Sequence, residues 1–138
     1  MLTSDLIQLT FDKIMQTRSY TVIILSAENK RFAIYTEPGI GKTLQMQLTG
    51  TEQTRPMTHD LIDTILKGYD IEIKQVVIND MQDTVYYARL FLEQEQDGLR
   101  HIIEMDARPS DCIILALKND VPVYCTREVL EKTIPVEE

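Results

Sequence analysis

The sequence has no tryptophan, only two cysteines and two histidines, and 14 basic residues against 22 acidic ones. Each shortage excludes something. The longest apolar run, Cys112 to Leu117, is far shorter than the roughly 20 residues a membrane-spanning helix needs, so no membrane role is expected. The opening "MLTSDLIQLTFDK" has no basic stretch followed by a long apolar one and does not read as a signal peptide. Cys112 and Cys125 lie thirteen positions apart with no CxxC. Both sit among apolar neighbours and read as buried thiols of a reducing compartment, which makes the cytoplasm the expected location. The formal net charge of −8 argues against a protein that coats duplex DNA, because such binding is driven by cations that neutralise phosphates. A nucleic-acid role would need a local basic pocket, bound metal ions, or an oligomer that gathers the few arginines. "EPGIGKT" is not a P-loop, since Gly39 and Gly41 are only two apart.

What remains is an ordinary globular chain. Its 138 residues, 43% hydrophobic and 26% charged, suffice for one domain, taken here as 1–138. The expected fold is α+β, a single compact domain in which a mixed or antiparallel sheet with a strand meander is packed by three to four helices. Strands are expected at Asp5–Phe11, Tyr20–Leu25, Arg31–Thr36, Ile71–Ile78, Thr84–Glu93 and Leu99–Met105, with "VPVYC" as a short closing strand. The pattern breaks at "EPGIGK", and "KTLQMQLTG" is helix-permissive up to Gly50. A helix capped by Thr58 presents Leu61, Ile62, Ile65 and Leu66 as one apolar face and stops at Gly68. The helix Ser110–Lys118 is apolar nearly all round, with only Asp111 and Lys118 sharing a polar stripe, so it must be deeply buried. A short helix follows Thr126, and "TIPVEE" is expected to fray. Thr84–Glu93 is apolar on both faces, which asks for cover by helices or by a second subunit, so a homo-oligomer is expected.

Two junctions stand out, "TRPMTHD" and "DARPSD". A proline at a helix start gives up an N–H that would be unpaired anyway, and it turns the preceding arginine away from the helix. Each junction therefore gathers an arginine, carboxylates and a helix N-terminus. Structurally this is a clamp, Arg108 with Asp106 or Asp111 and Arg55 with Asp60 or another acid. Functionally it is an anion site. Arg55, Arg108 and Ser110 would bind phosphate, and Glu104, Asp106 and Asp111 could hold Mg²⁺ or Mn²⁺. His59 flanks the apolar face of its helix and could move a proton near neutral pH. Asp60, Asp106 and Asp111 join it as catalytic candidates. His101 alternates with apolar neighbours and reads as structural or exposed, and Tyr86 and Tyr87 face opposite ways, so they form no base-stacking platform.

"RPMTHDLI" (Arg55–Ile62), "YYARLFL" (Tyr86–Leu92) and "DARPSDCIILALK" (Asp106–Lys118), followed by "VPVYCTREVL", resemble the bifunctional nuclease family. The resemblance is specific from Arg55 to Leu130 and looser before it. It implies a compact α+β domain and cleavage of both DNA and RNA, an activity attributed to a plant member. It carries over Arg55, Thr58, His59, Asp60, Asp106, Arg108, Ser110 and Asp111 as candidate site residues. The chain departs from the family in "AIYTEPGIGKTLQ", where Tyr35 takes the place of a tryptophan and Lys42 stands near a usual acid. The expectation is a metal-assisted nuclease. The alternative is a non-enzymatic binding or regulatory module whose Arg-Pro-Asp junctions only hold the fold.

Overall fold

Three two-residue turns set the framework. Glu28–Asn29, Asp83–Thr84 and Asp97–Gly98 have positive φ at both positions, the turn geometry whose twist matches that of paired strands. A computed structural model describes residues 6–51 and 54–136. The expected strand start at Asp5, the Glu52–Gln53 part of the polar loop and the last two residues of the tail lie outside them. The turns join β2 (Thr21–Ala27) to β3 (Lys30–Thr36), β4 (Ile71–Gln82) to β5 (Val85–Gln96), and β5 to β6 (Leu99–Ala107). β1 (Leu6–Gln16) pairs with β2, and β7 (Val123–Thr126) slots between β1 and β4. β7 is antiparallel to β1 and parallel to β4. The result is a seven-stranded mixed sheet in the order β3-β2-β1-β7-β4-β5-β6. With α1 (Pro38–Thr49), α2 (Thr58–Gly68), α3 (Pro109–Asn119) and α4 (Arg127–Lys132) it forms one α+β domain among the described residues.

The core lies between the sheet and α1 and α3. Ile23, Leu25, Phe32, Val76, Ile78, Ala88 and Leu90 meet Ile40, Leu44 and the run Cys112–Ala116. Each large aliphatic side chain buried in this way contributes roughly 1.5–3 kcal/mol before chain entropy is counted. The expected burial of α3 holds, since Pro109, Ser110 and Cys112–Ala116 are all buried. Tyr86 stacks on Phe32 at a centroid distance of 5.8 Å, whereas Tyr87 on the other face is 40% exposed. The outer face of β5 is thus only partly covered within one chain.

Several expectations give way. α1 begins at Pro38 rather than after Lys42, so "PGIG" is helical. Pro38 suits a first helical turn, and Gly41 is required by close packing, because a Cβ there would come within 2.7 Å of Gln16 Oε1 and Thr21 Oγ1. Thr21 Oγ1 also accepts from the Gly41 N–H at 3.0 Å and donates to the Pro38 carbonyl at 3.1 Å. The β4–β5 loop is the two residues Asp83–Thr84, not "NDMQD", since both strands extend farther than their apolar cores. "VPVYC" supplies the short strand expected, β7, and that strand lies in the middle of the sheet. Thr58 is the first helical residue rather than the cap, and the Asp60 carboxylate accepts the Met57 N–H at 2.9 Å instead. Most of the apolar face of α2 points to solvent, with Leu61, Ile62 and Ile65 exposed, while Leu66 packs against the core and Asp63 is turned inward. The tail is held at least to Val136, whose N–H donates to the Arg31 carbonyl at 2.7 Å. Thr126 caps α4 as expected, its Oγ1 accepting from the Val129 N–H.

Replacement of Gly41 by alanine is expected to destabilise the fold by about 1–3 kcal/mol, because the new methyl displaces both Gln16 and the buried Thr21. Urea unfolding would register it as a lower midpoint at unchanged slope. Thr84 has the opposite problem: a β-branched residue at φ 69°. Thr84→Gly is expected to stabilise by about 1 kcal/mol, read as a rise in thermal midpoint.

Candidate active site

α2 docks on α3 through polar groups, and this brings the two Arg-Pro junctions together. His59 Nε2 lies 2.8 Å from Asp111 Oδ1. Lys118 Nζ donates to Asp60 Oδ1 at 2.5 Å, and Asn119 Nδ2 donates to Asp63 Oδ1 at 2.9 Å. Asp63 also accepts from Lys67 at 2.7 Å. The helices are therefore joined at three points along their length, and the in-facing acids of α2 explain why its apolar stripe faces outward.

Arg108 completes a chain of charges. As N-cap of α3 its backbone is extended, as a residue before proline should be. Its Nη1 donates to Glu37 Oε1 at 2.8 Å, and its Nε reaches Asp111 Oδ2 at 3.4 Å. Asp111 thus lies between Arg108 and His59, and Glu37 ties the start of α1 to the start of α3. Glu37 first of all, then Asp111, raises the Arg108 pKa. Asp60 is held below the usual carboxylate range, chiefly by Lys118 and then by the Met57 N–H. Burial works against the ionised form of Asp63, but hydrogen bonds from Lys67 and Asn119 outweigh it and lower its pKa. Burial pushes the Cys112 thiol up to about 12 and the Cys125 thiol to about 11, so neither is a nucleophile.

A cleft of about 470 Å³ opens where α1, α2 and α3 meet. Arg55, His59, Asp60 and Lys118 line it, with Thr43 and Gln47 on the α1 side and Ile114 at its floor. Arg55 makes no ion pair among the described residues and sits at the cleft with its charge available. The His59 side chain is only 12% exposed, and its Nδ1 makes no hydrogen bond among the described residues.

The other predicted residues lie elsewhere. Glu104 and Asp106 occur on β6, opposite Phe91 and Arg89 of β5. They share Arg89 as a partner at 3.6 and 3.9 Å. Asp111, which was grouped with them, instead pairs with His59 and Arg108. Among the described residues no three His, Cys, Asp or Glu side chains converge to hold a metal ion. Ser110 is buried and lines a separate groove of about 400 Å³ with Tyr35, Glu37, Tyr86 and Arg108. Thr58 is exposed at the start of α2. Two participants were missed. Glu37 precedes Pro38 as Arg108 precedes Pro109, so the X-Pro helix start could have flagged it. Lys118 was visible as the partner of Asp111 on the polar stripe of α3, but its reach to Asp60 depends on the crossing of α2.

Residues 22–137 match the model of the bifunctional nuclease domain family. Uncharacterized proteins of Mycobacterium tuberculosis, from strains CDC 1551 and H37Rv, are each 29% identical to the chain over 120 residues, covering 86% of it and 69% of the relative. No helix among the described residues is long and apolar enough to cross a membrane.

The lowered Asp60 pKa carries a pH consequence. The stability it contributes is fully present above the unfolded carboxylate value of 3.8 and is lost as pH falls through the lower folded value. Asp60→Asn is therefore expected to shrink the difference in urea midpoint between neutral and strongly acidic pH. An unaltered acid limb would mean that the Lys118 contact is without energetic effect.

Proposed function

The chain belongs to the bifunctional nuclease domain family, and we propose that it hydrolyses phosphodiesters of DNA and RNA in the cleft between α1, α2 and α3. The observation that carries this reading is the His59–Asp111 contact at 2.8 Å beside two cations, Arg55 and Lys118, at one cleft. Asp111 receives the Nε2–H, which leaves Nδ1 as the basic nitrogen. Nδ1 takes a proton from the attacking water as its oxygen bonds to phosphorus. The P–O bond to the leaving oxygen breaks, and that oxygen takes a proton from solvent. Arg55 holds the phosphate and stabilises the charge that builds on its oxygens. Lys118 adds positive potential at the cleft floor, partly spent on Asp60. These local cations answer the problem of a chain with net charge −8. The separation of Glu104 and Asp106 from Asp111 gives no support to a three-carboxylate metal centre within one chain, so no step is assigned to a metal. The reading also takes the protein as a homo-oligomer of the cytoplasm, where two free thiols stay reduced.

A second reading is favoured by Arg108. Its guanidinium already bridges Glu37 and Asp111, which suits a structural clamp better than a phosphate ligand. On that reading the domain binds or regulates without cleaving.

The deciding assay uses labelled single-stranded and duplex DNA and RNA with Mg²⁺, Mn²⁺ or EDTA, and variants purified identically. His59→Ala is expected to lower kcat by about 10²–10⁴-fold. Arg55→Ala should lower kcat/KM, while Glu104→Gln should leave both unchanged. Equal cleavage by His59→Ala and the unaltered protein would assign the activity to another site or a contaminant. Binding without cleavage under every condition would favour the second reading.

A further inference from the structure

The two edges of the sheet are treated differently. The β3 edge is covered by the tail, through the Val136 N–H on the Arg31 carbonyl, and its side chains Phe32 and Ile34 are buried. Among the described residues the β6 edge has no strand beyond it. Every residue of β6 except Ala107 is exposed. Free edges are usually protected by proline, by a bulge or by charge. β6 has no proline and its pairing with β5 runs without a register shift; beside the charges Arg100, Glu104 and Asp106 it exposes Leu99, Ile102, Ile103 and Met105 at 44–64%. Leu99, His101, Ile103 and Met105 share the face of the buried Leu90 and Leu92, and Arg100, Ile102 and Glu104 share the other. The C-terminal end of α2 reaches the neighbouring strand, where the Tyr69 carbonyl accepts from Gln94, the β5 partner of His101.

We propose that a second copy of the chain occupies this edge, the two β6 strands pairing antiparallel about a two-fold axis through Ile102 to join two sheets into one. The sequence of β6 is complementary to itself in that register. Arg100 faces the partner subunit's Glu104, twice by symmetry. Leu99 faces the partner subunit's Met105, His101 faces the partner subunit's Ile103, and Ile102 meets its own copy. No like charges oppose each other, and opposed pairs of this kind are what stabilise a sheet. The adjacent registers on the same face pattern are poorer. Centring on His101 leaves Arg100 and Glu104 without opposing charges, and centring on Ile103 keeps a charge pair, Arg100 with the partner subunit's Asp106, but sets Ile102 against the partner subunit's Glu104 twice. Arg100 and Glu104 already have partners in their own chain, Glu93 and Arg89, so the contact lengthens an ion-pair row across the axis.

Sedimentation of the full chain is expected to give a species of twice the 16.0 kDa chain mass. Ile102→Arg brings two like charges together on the axis and should weaken dimerisation by at least about tenfold, with unchanged far-UV circular dichroism. Ile102→Cys should link two chains under mild oxidation, because that residue alone meets its own copy, whereas Ile103→Cys should link far less. The native thiols are buried and do not interfere. A monomer at high micromolar concentration, a dimer indifferent to Ile102→Arg, or linking no better at position 102 than at 103 would overturn the proposal.

Discussion

α3 carries five consecutive buried residues, Cys112 to Ala116, and a helix so apolar cannot face water on any side. Its burial sets the rest of the architecture. The sheet covers one side, α1 packs along another through Ile40 and Leu44, and what remains of its surface is the narrow stripe holding Asp111, Lys118 and Asn119. α2 must dock on that stripe with acids and a histidine, because no apolar face is offered to it. The packing of the core and the chemistry of the cleft are in this sense a single constraint.

This arrangement explains why structural and functional readings of the Arg-Pro junctions are hard to separate. Arg108 serves as a strut between Glu37 and Asp111, and Asp111 in turn orients His59. Removing either acid would take away one of the two partners of Arg108, and removing Asp111 would also release His59. Arg55 differs. It lies outside α2, makes no ion pair among the described residues, and gives its charge to the cleft rather than to the scaffold. The division between holding and acting thus runs within each motif, not between the motifs.

The outward-facing stripe of α2 and the bare β6 edge share one cause. The helices that cover the sheet lie over its middle strands, and among the described residues none covers the far edge. A protein can leave such an edge to solvent with charges or give it to a partner. The pairing pattern of β6, with arginine and glutamate symmetrically placed about isoleucine, suits the second.

Much was legible from residue order alone. Alternation of β-branched residues marked the strands, the prolines and Thr126 marked helix starts, and the continuous apolar run of α3 required its burial. The motifs also pointed to the family. These are local properties, fixed by periodicity and by backbone preference at each position. The length of β4 and β5 was less legible, because their ends are polar and only the paired partner keeps them extended. The direction of α2 was not legible, since amphipathicity says which residues share a face but not which face turns inward. That was decided by the polar stripe of α3, a surface fifty residues away in the chain. The insertion of β7 between β1 and β4, the meeting of His59 with Asp111, and the separation of Glu104 and Asp106 from them are likewise long-range outcomes. Sequence by itself determined the elements and the chemical groups available. Only tertiary structure decided which groups meet, because those distances depend on how helices cross and strands order, and neither is written in any local stretch.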